Sequence, residues 1–116
     1  MILAISAGVN LLFAGGPGSQ HCSSLLGFGT DTGYNPREGL KHELRGLNLM
    51  FSEQDIIKLM GPNTAAFIDM SDELGTLETG KLADIVVVEG DPLELIFNLL
   101  NVRVVIKGGE IVADHR

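Results

Sequence analysis

Apolar residues run unbroken through Leu25-Leu26-Gly27-Phe28 and stop at Gly29-Thr30-Asp31-Thr32-Gly33. A parallel strand covered on both faces reads as such a run, so the pattern predicts a buried strand that delivers one carboxylate, Asp31, at its C-terminal end. The period then lengthens. Leu40, Leu44 and Leu47 stand at three- and four-residue spacings, which predicts one apolar helical face on a helix from Pro36 to about Arg45, stopped by Gly46. Ser52-Glu53-Gln54-Asp55 has the form of a capping box with Asp at its last position, and it opens a second helix to about Met60 whose buried face is Ile56, Ile57, Leu59 and Met60. Gly61-Pro62-Asn63 breaks that helix, and Thr64–Ile68 starts another whose small residues allow close packing.

Beyond residue 74 the pattern changes again. Leu74–Leu82 is a turn-rich link, Ala83–Glu89 is a β-branched strand closed by Gly90, and Asp91-Pro92 begins a short helix through Leu100. Val102–Ile106 and Glu110–Val112 predict two strands around Lys107-Gly108-Gly109, a tight hairpin, and the tail from Ala113 is expected to be exposed. Before residue 25, Ile2–Ala7 reads as the end of a helix or a strand, Ala7–Asn10 as a turn and Leu11–Ala14 as a short buried strand. Gly15–Gln20 is a loop on composition. Three segments follow: 1–24, an N-terminal stretch with a Gly-rich loop; 25–73, a strand and its covering helices; and 74–116, a small β module. The class is α/β, with the closing βα piece of a parallel layered structure in the first half.

Composition narrows the partners. At 116 residues the chain has enough length for one core but less than half of the roughly 250 residues of a complete (β/α)8 barrel. A net charge of -7, with no Lys or Arg before Arg37, leaves no electrostatic footprint for nucleic acid or for an anionic membrane. The apolar start lacks a basic flank and is too short to span a bilayer. A single cysteine, Cys22, can form no intrachain disulfide, and a reducing cytoplasm is the default compartment.

Asp31 is the foremost candidate for chemistry, because Gly29 and Gly33 permit a close backbone approach and Thr30 and Thr32 can orient its carboxylate. The competing reading is an ordinary Asp-containing turn. Gly15–Ser19 lacks the Gly-Lys-Ser/Thr ending of a phosphate-binding loop, so it reads as a connection. Ser19, His21 and Cys22 form a conceivable nucleophile site without an orienting acid, and an incidental thiol is the stronger reading of Cys22. His42 falls on the outer side of its helix and reads as a surface residue.

Three segments in order resemble the C-terminal part of the metal-dependent amidohydrolase superfamily, in its imidazolonepropionase-like and prolidase-like branch. They are Gly29-Thr30-Asp31-Thr32-Gly33; Leu74-Gly75-Thr76-Leu77-Glu78-Thr79-Gly80-Lys81-Leu82-Ala83-Asp84 running into Ile85–Val88; and Gly90-Asp91-Pro92-Leu93 followed by Val102–Val112. The resemblance implies a C-terminal fragment of a (β/α)8 barrel, its last strand and helices, with the returning strands of a small β-sandwich built from both ends of the polypeptide. Leu25–Phe28 would be the eighth barrel strand. Asp31 matches the strand-eight aspartate, which contacts the metal and relays a proton from metal-bound water to the leaving group. Asp84 matches a structural position at a turn or strand start, not a ligand.

The family's other ligands, a His-x-His pair, a central Lys or Glu and further histidines, are not matched by His21, His42 or His115. The resemblance therefore implies the C-terminal portion of a hydrolase for C–N bonds in amides, cyclic amides or dipeptides, inactive as an isolated chain. A divalent ion, zinc by expectation, belongs to the full-length enzyme and none to this chain alone. Expected partners are a small-molecule or dipeptide substrate, and either further copies of the chain or a missing N-terminal segment; nucleic acid and membrane are not expected. Two alternatives stand beside this: a self-associating α/β structural or interaction domain without catalysis, and a small enzyme using Ser19, His21 or Cys22.

Overall fold

The β-branched runs fold as expected. In the computed structural model, which describes residues 2–4, 27–29 and 38–116, they build a four-stranded antiparallel sheet in the order β1 (Ile2–Ala4), β2 (Ile85–Val88), β3 (Val102–Lys107) and β4 (Glu110–Asp114). β1 pairs Ile2 with Val87 and Ala4 with Ile85, so the start of the chain joins a sheet otherwise made from its end. β2 pairs Ile85 with Ile106 and Val88 with Val102, with a bulge between Val87 and Val88. Between β3 and β4 the turn is Gly108-Gly109, at φ 57° and 86°. Two consecutive positive φ values are what a two-residue hairpin with the native strand twist requires, and glycine adopts them at little cost.

Leu40, Leu44 and Leu47 line the inner side of α1 (Gly39–Leu47), with Leu44 wholly buried. Gly46 does not stop this helix. Glycine costs about 1 kcal/mol in a helix interior, but the half-buried Leu47 beyond it packs on the core and carries the helix past it. The start expected at Pro36 lies outside the described residues. Helix α2 (Glu53–Lys58) is capped by Ser52, whose Oγ accepts from the Asp55 N–H at 3.2 Å and donates to the Asp55 carboxylate at 2.7 Å.

Gly61-Pro62-Asn63 does not break the second helix as expected. Residues Leu59–Asn63 form a π-helical turn that runs directly into α3 (Thr64–Phe67). Proline removes one N–H and crowds the preceding turn, and the wider π turn takes Pro62 without ending the helix. Where α3 stops, Asp69 adopts φ 59°, the Asp69 N–H bonds Ala66 O at 3.2 Å, and the Met70 N–H bonds Ala65 O at 2.8 Å. This is the Schellman ending, with Asp in the position glycine usually takes. Gly75, at φ 93°, then lies on the π turn: a Cβ there would stand 2.8 Å from Ala65 Cβ and 3.0 Å from Pro62 Cα.

A 3-10 helix, Ile96–Leu100, ties the two regions together and replaces the longer helix expected from Asp91. Ile96 and Leu99 are buried with Leu44, Ile56 and Met60 in one cluster, flanked by Phe28, Leu40, Leu47, Phe51, Ile57, Phe97 and Leu100. Burying a side chain of this size contributes roughly 1.5–3 kcal/mol, so these five form the principal stabilising contact between the helices and the segment that leads into β3.

Candidate functional site

Asp31 itself lies outside the described residues, as do Ser19, His21, Cys22 and the Gly15–Ser19 loop. The described approach to it is Gly27-Phe28-Gly29. Among the described residues these three enter no ladder, and the Phe28 N–H donates to the Thr64 hydroxyl at 2.7 Å. Thr64 is 1% exposed, and its hydroxyl donates in turn to the Leu59 carbonyl at 2.5 Å, across the π turn. Gly27 is buried under the Phe67 ring, where an added Cβ would stand 3.3 Å from two ring carbons. Helix α3 thus grips two successive residues of the stretch that leads to Asp31. The sequence reading placed Thr64 only among small packing residues; the available signal was a hydroxyl at a helical position that faces a core and therefore needs a partner.

The second segment of interest, Leu74–Asp84, is a folded connector. Lys81 extends its ammonium to Ser71 O at 2.7 Å and Thr76 Oγ1 at 2.6 Å, with Glu78 Oε1 at 3.6 Å. Thr76 donates to Glu78 at 2.6 Å, and this bond, followed by the charge of Lys81, holds the Glu78 carboxyl below its ordinary range. An open cleft of about 290 Å³ lies here, lined by Thr76, Leu77, Glu78, Lys81 and Leu82 among others. Its polar groups are occupied with one another, which marks it as a turn held by a lysine.

Asp84 occupies the structural position expected of it. One carboxylate oxygen accepts from the Gly108 N–H at 2.8 Å and the other pairs with Lys107, so the residue before β2 clamps the β3–β4 hairpin. The Lys107 hydrogen bond, then that of Gly108, lowers its pKa. At the chain's end Arg116 holds the Asp114 carboxyl at about 2 through its hydrogen bonds.

A catalytic zinc site needs about three protein donors. Among the described residues no group of three or more His, Cys, Asp or Glu side chains could hold a metal ion; His42 and His115 are exposed and Asp84 is engaged by its hairpin. The described residues therefore do not fit a metal centre by themselves. Among them, no helix is long and apolar enough to cross a membrane.

Sheet, helices and the stretch leading to Gly-Thr-Asp-Thr-Gly together match a known class. A model of the amidohydrolase family matches residues 7–112, and the chain belongs to that family. Among curated relatives, an imidazolonepropionase of Caldanaerobacter subterraneus subsp. tengcongensis is 34% identical over 94 residues, covering 75% of this chain and 23% of the relative. A solved Xaa-Pro dipeptidase, with methionine bound in its active site, is 36% identical with TM-score 0.58, covering 63% of this chain and 18% of that one. Guanine deaminase of E. coli shares the fold, with TM-score 0.55 over 78% of this chain and 27% of its own, at 21% identity. The chain spans less than a quarter of the length of the imidazolonepropionase it matches.

Proposed function

We propose that this chain forms the C-terminal part of an amidohydrolase that cleaves C–N bonds in amides, cyclic amides or dipeptides, and that it is inactive alone. The observation that carries the reading is the family match across residues 7–112, whose relatives include an imidazolonepropionase and a Xaa-Pro dipeptidase. In this reading residues 25–73 close a barrel, residues 74–116 return to a small sandwich that β1 completes, and residues 1–24 lead in. Amidohydrolases generally work with a divalent metal, which acidifies bound water and polarises a carbonyl. Asp31 is the one position of this chain assigned to that centre, as a ligand and proton relay. The remaining donors are proposed to come from a preceding barrel segment, with zinc as the ion, a small molecule or dipeptide as substrate and the cytoplasm as location.

The test is complementation. The isolated chain, supplied with zinc or manganese, is expected to turn over neither amides nor dipeptides. Joined to an amidohydrolase barrel segment carrying a His-x-His pair, it should gain activity, and Asp31→Asn should lower that activity by about 10²–10⁴-fold, the usual contribution of a positioned proton acceptor. Enzyme-like turnover by the isolated chain, or an Asn variant as active as its parent, would overturn the reading.

A second reading rests on the surface. Leu49, Met50, Ile111 and Val112 are 88%, 75%, 58% and 61% exposed, and large apolar side chains left in water favour association. On this reading the chain self-associates as an α/β interaction domain. Sedimentation of a compact monomer at high concentration would rule it out.

A further inference from the structure

We propose that Asp114 guards the open edge of the sheet: by taking the Arg116 N–H it keeps β4 from pairing, strand to strand, with β4 of a second copy of the chain. The proposal concerns the backbone of β4 and rests on neither reading of function given above. In the first of those readings β1 completes the sheet on the β2 side, which leaves β4 at the margin.

Three observations converge on this strand. First, among the described residues β4 pairs only with β3, and its centre is Ile111-Val112-Ala113, with Ile111 and Val112 more than half exposed. An edge with open N–H and C=O groups and apolar, β-branched side chains is a template for another strand. Second, the edge is interrupted. Ile111 and Ala113 face consecutive residues of β3, Ile106 and Val105, so Val112 is an extra residue, and such a bulge turns an edge away from a partner. Third, the far end is closed by a side chain. The His115 N–H points inward, to Arg103 O at 2.7 Å, so in an extended strand the next N–H, of Arg116, points outward. Asp114 Oδ1 accepts that N–H at 3.1 Å, and the Arg116 guanidinium holds the same carboxylate through Nε at 2.9 and 3.1 Å and Nη2 at 2.5 Å. A second copy is the partner this edge fits once it is freed: in antiparallel pairing about Ala113, Glu110 of each copy stands opposite Arg116 of the other, and opposite charges across a ladder attract.

The competing role for the carboxylate is charge alone, since a net charge of -7 already opposes association. Two substitutions separate the roles. Sedimentation equilibrium of the full chain would compare the parent with Asp114→Ala and Asp114→Asn, which lose the same charge, while only Asn keeps an oxygen for the Arg116 N–H. A hydrogen bond of ordinary strength corresponds to about a tenfold change in an equilibrium, and two-fold pairing frees two such N–H groups. The Ala variant is therefore expected to raise the dimerisation constant about a hundredfold over the parent, and the Asn variant to stay within about tenfold of it. Val112→Lys lowers the net negative charge further, yet a lysine on an edge strand blocks pairing, so it should abolish the gain in the Ala background and leave the parent unchanged. No gain in the Ala variant, equal gains in Ala and Asn, a gain that survives Val112→Lys, or a parent that Val112→Lys dissociates would overturn the proposal. Should Asp114→Ala fail to fold, Asp114→Val, which suits a strand and also lacks the acceptor, takes its place with the same expectation.

Discussion

Asp69 combines two unfavourable features in one residue. Its φ of 59° is left-handed, where a side chain costs about 1 kcal/mol relative to glycine. It also places a negative charge beside the carbonyl end of α3, where the helix dipole favours a cation. Asp69→Gly is therefore expected to raise stability by about 1 kcal/mol and the melting midpoint by about 4 °C, read by thermal unfolding. Neither feature was legible from the sequence, because the stretch Ile68-Asp69-Met70 has no glycine to announce a helix end. By contrast the structural role of Asp84 was expected from the family resemblance of Gly-Lys-Leu-Ala-Asp, and its carboxylate holds the hairpin.

Among the elements, the β3–β4 hairpin shows most directly how one side chain holds a turn. Its Lys107 and Gly108 both bond Asp84, and the folded carboxyl has a lowered pKa. A carboxyl depressed by folding stabilises the native state above its unfolded value, near 3.8, and the gain is lost as pH falls through the folded value. Asp84→Asn should therefore cost about 1–2 kcal/mol at pH 7 and make stability fall less steeply below about pH 4, as measured by urea midpoints at several pH values. The hairpin and both helix faces were legible because each follows a simple period or a turn rule: Gly108-Gly109, and Leu40, Leu44 and Leu47. The continuity of α2 into α3 was not. Gly-Pro-Asn is ordinarily a helix breaker, and only the tertiary cover of Leu59, Met60 and Ala65 holds the chain helical through Pro62.

At the scale of the whole molecule, the sequence offers the candidate site as a residue type, Asp31, and not as an arrangement. The sequence pointed to Asp31 and to the family, while the hydrogen bond of Phe28 to Thr64 joins residues 36 apart in the chain. No local pattern carries such a pairing. The core was divided in the same way: Leu44, Ile56 and Met60 could be read from helical spacing, whereas Ile96 and Leu99 belong to a short 3-10 turn with too few residues to show a period.

That turn has a mechanical corollary. The chain around Ser71, Asp72 and Glu73 is exposed, and scission of the backbone there would sever the covalent link between the two regions while leaving Ile96 and Leu99 lodged among Leu44, Ile56 and Met60. A nicked protein should therefore elute from gel filtration as a single undivided particle and come apart only in denaturant, the two pieces being held by five side chains and by the pairing of β1 with β2, and not by the bond that was cut.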